Sequence, residues 1–139
     1  MPHERRPPDD PREWINRARS NLVRAQAMLP GVYLQVEDLC FDAQQAAEKA
    51  IKAVLIARGA VFPPTHDLAG LLTILGQNDE AIPPAIADAA RLTRFAVATR
   101  YPGAAEPVTV EEHHRAVAIA EAVVTWADER VGEESSPTR

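Results

Sequence analysis

One uninterrupted helical stretch constrains the fold of this chain more than any other feature. Between Gln35 and Gly59 the sequence contains no proline and no internal glycine, and almost every residue favours a helix. The glycine at the end can adopt the left-handed conformation that commonly terminates a helix. The sequence therefore predicts one helix of about six turns, the longest in the chain.

One broad arc of this helix is apolar and rich in alanine. Placing successive residues about 100° apart groups the following residues on it: Cys40, Ala43, Ala46, Ala47, Ala50, Ile51, Ala53, Val54 and Ala57. Small side chains let a neighbouring backbone approach closely, which favours a helix packed among other helices. The opposite arc is polar, but it also includes Phe41, Leu55 and Ile56, which a plain solvent face would not usually carry.

Capping boxes predict where the first and last helices begin. Asp10-Pro11-Arg12-Glu13 combines an N-cap, a proline at the first helical position and a glutamate at N3. Apolar residues then recur at helical spacing until Pro30-Gly31. Thr109-Val110-Glu111-Glu112 is a second capping box, and it opens a helix that we expect to run to about Arg130.

Two further helices are predicted between these. Thr65 is the expected N-cap of a short helix over 67–75 with an apolar leucine face, and Pro83-Pro84 opens a helix over 85–98. Short connections favour antiparallel neighbours. The sequence predicts an all-α protein, an antiparallel up-and-down four-helix bundle with one additional short helix. Its domain spans 10–131, between a disordered arm (1–9) and a frayed tail (132–139).

Composition limits the classes of function. A chain of 139 residues with a formal net charge of −5 is unlike a protein whose whole surface attracts nucleic acid. Its single cysteine, Cys40, is expected to be a buried thiol, and no segment has the length and apolarity of a membrane span, so we expect a soluble cytoplasmic protein. His113 and His114 are adjacent and point about 100° apart, which makes them a poor metal pair. We expect no metal site and no cofactor.

Three segments carry a family resemblance. The run from Cys40 to Leu55 (CFDAQQAAEKAIKAVL), then Thr65-His66-Asp67-Leu68, then Arg100-Tyr101-Pro102, resembles the HEPN domain family of small prokaryotic helical proteins. The match covers about Glu13 to Arg130. The resemblance implies a nucleotide-binding or interaction module, often encoded beside a minimal nucleotidyltransferase, that tends to form homodimers with the motif region at a shared cleft. Phe41, Leu55 and Ile56 are compatible with such an interface.

The family's ribonuclease motif is incomplete in this chain. That motif is an arginine, four to six residues and a histidine, with a tyrosine two positions later in the toxin–antitoxin branch. Here Arg94 matches the arginine and Tyr101 the tyrosine, but Thr99 stands where the histidine would be. Threonine cannot exchange a proton near neutral pH as histidine does. We therefore expect no autonomous enzyme, although His66, at the start of the short helix, is the one histidine considered as a substitute.

The remaining candidates are groups that bind anions. Arginine and lysine suit phosphate, and tyrosine stacks or donates a hydrogen bond. The expected nucleotide or phosphate ligands are Arg94, Arg100, Tyr101, Lys49, Lys52 and Gln45. By resemblance, Tyr101 is also the position where a nucleotidyltransferase partner would attach nucleotide. The same residues could instead form ordinary ion pairs, such as Glu48 with Lys52, or a polar network between helices.

Three functions follow from these observations. The first is a nucleotide-binding or interaction module in a toxin–antitoxin-like pair with a minimal nucleotidyltransferase, with nucleotide or single-stranded RNA as ligand. The second is a ribonuclease with a degenerate motif, in which Arg94 and His66 would be the catalytic candidates. The third is a helical partner protein without a ligand.

Overall fold

All secondary structure in the described part of the chain is helical. The computed structural model describes residues 9–27, 35–96 and 108–135, with side chains as far as residue 132. Its elements are α1 (Pro11–Gln26), α2 (Val36–Ala57), α3 (Leu68–Gln77), α4 (Pro84–Ala87), a 3₁₀ helix (Asp88–Phe95) and α5 (Val110–Ser135). The predicted all-α class is confirmed. Within the described ranges, no helix combines the length and apolarity needed to cross a membrane.

The central helix, α2, ends as its sequence predicts. Gly59 has φ of 69°, the left-handed region where a side chain would be strained. The Gly59 N–H donates to the Ile56 carbonyl (3.0 Å) and the Ala60 N–H to the Leu55 carbonyl (2.9 Å). These two bonds form a Schellman motif, which satisfies carbonyls that the end of the helix would leave free.

Half of the predicted polar arc of α2 is buried, contrary to expectation. Gln44, Glu48 and Lys52 are 0%, 4% and 8% exposed, and Leu55 is completely buried. The reason is that α1, α3, α5 and the 3₁₀ helix all pack against α2, which leaves little of its circumference in solvent. Leu55 is therefore a core residue and is not available for a dimer interface. Nor is α2 the longest helix, because α5 has 26 residues and α2 has 22.

Both predicted capping boxes begin a helix. Asp10 Oδ1 accepts a hydrogen bond from the Arg12 N–H (2.9 Å) at the start of α1. At α5, the Glu112 N–H donates to Thr109 Oγ1 (3.0 Å) and the Thr109 N–H donates to Glu112 Oε1 (3.1 Å). The far ends differ from expectation: α1 ends at Gln26, before Pro30-Gly31, and α5 continues to Ser135.

The segment before α3 is arranged differently from its prediction. Asp67, not Thr65, is the N-cap, and His66 precedes the helix instead of lying in its first turn. Thr65 Oγ1 accepts from the Asp67 N–H (3.0 Å), so the threonine fixes the turn that leads into α3. The predicted leucine face is confirmed, since Leu68, Leu71, Leu72 and Leu75 are buried.

The helix predicted over 85–98 is a short α-helical turn followed by eight residues of 3₁₀ helix. The buried apolar residues within these two elements are Ile86, Ala89, Leu92 and Phe95, which are spaced by three. A 3₁₀ helix has three residues per turn, so this spacing aligns all four on the side facing the core. An α-helix would spread them around its axis. Residues 97–107, including the end of the predicted helix, lie outside the described residues.

Candidate functional site

Three arginines line an open cleft between the 3₁₀ helix and α5. Arg91 and Arg94 come from the 3₁₀ helix and Arg115 comes from α5, around a volume of about 340 Å³. Side chains three residues apart eclipse one another in a 3₁₀ helix, so the first two arginines project from one stripe. The apolar part of this arginine cleft is formed by Leu92, Phe95, Ala116 and Ile119.

Arg94 is held at the cleft by two contacts. Its guanidinium pairs with the carboxylate of Glu112 and lies over the Phe95 ring, 4.4 Å from the ring centroid. The Thr109 N–H that caps α5 lowers the pKa of Glu112, and the nearby Arg94 lowers it further. Among the described residues that line the cleft, Glu112 is the one carboxylate, against three guanidinium groups. The cleft therefore keeps an excess of positive charge.

Cys40, in the first turns of α2, is a buried thiol whose pKa is affected by charges at the arginine cleft. The predicted buried thiol is confirmed, with Cys40 0% exposed. Burial raises the pKa of its thiol to about 12, Glu112 adds to the rise, and Arg94 opposes it. The ion pair of Arg94 and Glu112 thus acts electrostatically on the first turns of α2.

A second polar cluster surrounds the buried carboxylate of Glu48 in the middle of α2. Glu48 Oε1 accepts from Gln44 Nε2 (2.7 Å) and lies 2.8 Å from His66 Nδ1, while Oε2 accepts from Lys52 Nζ (2.9 Å). Gln45 Nε2 donates to Gln44 Oε1 (2.8 Å). Lys52 therefore neutralises a buried carboxylate, which is the ion-pair alternative that the i, i+4 spacing suggests.

Lys49 belongs to a third set of contacts, between α1 and α2. Its Nζ donates to Asn21 Oδ1 (2.7 Å), and Asn21 Nδ2 donates to Asp42 Oδ1 (2.9 Å). Burial, followed by the charges of Arg24 and Arg17, lowers the pKa of Lys49. Lys49, Lys52 and Gln45 therefore contribute to polar networks inside the helical core, and none of them lines the arginine cleft.

The histidines occupy different surroundings. His66 has a side chain that is 59% exposed and is bonded to Glu48 instead of Asp67 or a loop carbonyl. His113 is buried, and its Nε2–H donates to the Ala25 carbonyl (2.7 Å), which joins α5 to the end of α1. His114 is exposed.

The structure brings Arg94 together with two arginines that the sequence analysis missed. Arg91 could have been found from the three-residue spacing that Arg94 shares with it. Arg115 lies on another helix, and no sequence signal connects it to the other two. Arg100, Tyr101 and Thr99 lie outside the described residues.

Comparison with known proteins gives one match. A family model described as the HEPN domain matches residues 11–131. No curated protein and no solved structure matches the chain.

Proposed function

The chain belongs to the HEPN domain family, and from that premise we propose that it is a module that binds the phosphate groups of a nucleotide or of single-stranded RNA in the arginine cleft. The observation that carries the proposal is the convergence of Arg91, Arg94 and Arg115 on one open cleft. The chain as a whole has a net charge of −5, so this local excess of positive charge favours a site that attracts an anion.

The chemistry of the cleft suits a phosphate ester. Arginine presents a planar fork that binds two phosphate oxygens at once, and its bonds to anions are among the strong hydrogen bonds of proteins. The side chain of Ile119, which is only partly buried, adds an apolar surface against which a base or ribose can pack. A volume of about 340 Å³ falls in the range of small-molecule sites, so it can hold a phosphate with part of a nucleoside.

Four finer features belong to the same proposal. The protein acts with a minimal nucleotidyltransferase in a toxin–antitoxin-like pair, as the family resemblance implies. It forms a homodimer, with Phe41 and Ile56 as the remaining interface candidates. Arg100 adds to the anion site and Tyr101 is the acceptor of nucleotide. The helices form an antiparallel up-and-down bundle, consistent with the short loops on either side of α3.

Calorimetric titration with ATP, GTP and a short single-stranded RNA tests the proposal. We expect binding of at least one of them by the wild type, and Arg94→Ala should weaken it about tenfold because a charge-assisted hydrogen bond is lost. Arg19→Ala is a matched control, since Arg19 and Arg94 both pair with a carboxylate and both have side chains that are 50% exposed. Absence of binding to all three ligands, or equal losses in both variants, would contradict the proposal.

Replacing Glu112 with glutamine should tighten binding of the same ligand about threefold. The substitution removes the carboxylate that competes with phosphate for Arg94, an exposed ion pair worth about 0.7 kcal/mol. Glutamine can still accept the Thr109 N–H, so the capping box is kept. Glu111→Gln changes the net charge equally but lies outside the cleft, and it should leave the affinity nearly unchanged. Equal effects of the two variants would mean that Glu112 does not compete with the ligand.

A further inference from the structure

Lys49 is one of two lysines in the chain, and its surroundings differ from those of the other. Of the fifteen lysine and arginine residues, only Lys49 and Lys52 are lysines. Lys52 pairs with the buried carboxylate of Glu48 (2.9 Å), so its charge is neutralised. Lys49 is partly exposed, and among the described residues its Nζ has one hydrogen-bond partner, the neutral amide of Asn21 (2.7 Å). Within the described part of the chain, Lys49 therefore lacks a carboxylate that stabilises its charged form by direct contact.

Two arginines of α1 lie on either side of Asn21 along the helix. Arg17, Asn21 and Arg24 are spaced by four and three residues, which places them on one face of α1. Asn21 is 3% exposed, and its Nδ2 donates to Asp42 Oδ1 (2.9 Å), which leaves Oδ1 to accept from Lys49. The hydrogen bond to Asn21 therefore holds the amine of Lys49 beside the stripe that carries both guanidinium groups.

These surroundings favour the neutral amine of Lys49. Burial lowers the pKa of Lys49, and the charges of Arg24 and Arg17 lower it further. Glu48 and Asp42 act in the opposite direction, but less strongly than the arginines. A neutral amine has a free lone pair and is a nucleophile, whereas an ammonium group is not. An arginine at this position would stay protonated and could not serve in the same way.

The terminal nitrogens of both arginines are available to an anion. Arg17 pairs through Nε with Glu13 (2.9 Å), and Arg24 pairs through Nε with Asp42 (3.2 Å). Arg24 Nη1 also donates to Ser20 Oγ (3.3 Å). Both Nη groups of Arg17 and Nη2 of Arg24 then have no hydrogen-bond partner among the described residues. The two arginine side chains are 55% and 58% exposed, so the oxygens of a phosphate group can reach these donors from solvent.

We infer that Lys49 is an acylation site whose acyl donor is an acyl phosphate, the mixed anhydride of a carboxylic acid and phosphoric acid. The lone pair of Lys49 Nζ attacks the carbonyl carbon, and a bond from carbon to nitrogen forms. The bond from that carbon to the phosphate oxygen breaks, and the phosphate leaves with the electron pair. The proton that the nitrogen loses passes through water to the phosphate. The products are an Nε-acyl lysine and inorganic phosphate.

The neighbouring side chains have separate roles in this reaction. Arg17 and Arg24 bind the phosphate oxygens and stabilise the negative charge of the leaving group. Asn21 is a positioning residue, because its Oδ1 accepts one N–H of the amine and so orients the lone pair. The product amide keeps one N–H that can still donate to Asn21. None of these residues lines the arginine cleft, so the acylation site is separate from the site of the proposed function.

The test is incubation of the full chain with acetyl phosphate at neutral pH, followed by peptide mapping with mass spectrometry. We expect Lys49 to be acetylated at least about tenfold faster than Lys52, whose amine is buried and protonated in its ion pair. The rate at Lys49 should rise with pH and level off below the ordinary pKa of lysine, because only the neutral amine reacts. Equal rates at the two lysines, or no acetylation of either, would overturn the inference.

Replacing Arg24 with glutamine distinguishes an assisted site from an amine that is only exposed. Arg24→Gln removes a group that binds phosphate and lowers the pKa of Lys49, so acetylation should slow about fivefold. Arg19→Gln is the matched control: Arg19 is also on α1 and half exposed, but it pairs with Asp128 and does not act on Lys49, so the rate should not change. Urea unfolding verifies that each variant is folded, and Arg17→Gln is the second variant if Arg24→Gln is unstable. A wild-type rate in Arg24→Gln, or equal slowing in both variants, would contradict the assignment.

An acyl donor without phosphate tests the choice of substrate class. N-hydroxysuccinimide acetate carries the same acetyl group on an uncharged leaving group. Arg24→Gln should therefore slow its reaction with Lys49 less than it slows the reaction with acetyl phosphate. Equal slowing with the two donors would show that Arg24 acts only on the amine, and it would overturn the assignment of an acyl phosphate as the donor.

Discussion

Replacing Lys52 with methionine is expected to lower the free energy of unfolding by about 3 kcal/mol. Lys52 Nζ donates to Glu48 Oε2 (2.9 Å), and the two side chains are only 11% and 6% exposed. Methionine keeps most of the side-chain volume but removes the charge. A buried carboxylate without its cation costs far more than an exposed ion pair does. Urea unfolding at neutral pH measures the effect.

Two comparisons show whether the buried charge is the cause. The double variant Lys52→Met with Glu48→Gln removes both charges, and it should recover at least half of the lost stability. Lys49→Met should cost only about 1 kcal/mol, because its partner Asn21 is neutral and the change also relieves repulsion from Arg17 and Arg24. Equal losses for Lys52→Met and Lys49→Met would contradict this account of Glu48.

Replacing Leu55 with alanine should lower the free energy of unfolding by about 3 kcal/mol without changing the molecular mass in solution. Leu55 is completely buried within one chain, so its removal leaves a cavity in the core and does not alter a surface between chains. Urea unfolding and sedimentation equilibrium measure the two quantities.

The neighbouring residue provides the control. Ile56 is partly buried on the next position of α2, and Ile56→Ala should cost clearly less stability. A fall in molecular mass for Leu55→Ala, with unfolding unchanged, would show that the leucine lies between chains.

Local signals are sufficient to predict where α1 and α5 begin and where α2 ends. Asp10, Thr109 and Gly59 act within their own turns, so the residue types alone indicate the caps. Burial around α2 is different, because it depends on which elements pack on each side. The sequence pattern separates an apolar arc from a polar one, and the i, i+4 spacing suggests the ion pair of Glu48 and Lys52. It cannot show that this pair and the hydrogen bond from Gln44 are buried together.

The sequence predicts only part of the candidate site, because the rest depends on which elements pack together. Arg94 is identifiable from the family motif, and Arg91 follows once the three-residue spacing of the buried side chains is recognised as a 3₁₀ helix. Arg115 reaches the cleft only because α5 packs beside that helix. The pairing of His66 with Glu48 likewise joins residues 18 positions apart through the path of the loop before α3.

The most direct test of phosphate binding by Arg94 is the salt dependence of single-stranded RNA affinity. For single strands, the slope of log K against log salt concentration changes by about 0.7 for each phosphate that a protein neutralises. We predict that the slope of Arg94→Ala is shallower than that of the wild type by about 0.7, while the slope of Arg19→Ala is unchanged. An Arg94→Ala variant with weaker binding but the wild-type slope would show that Arg94 supports the fold and does not contact phosphate.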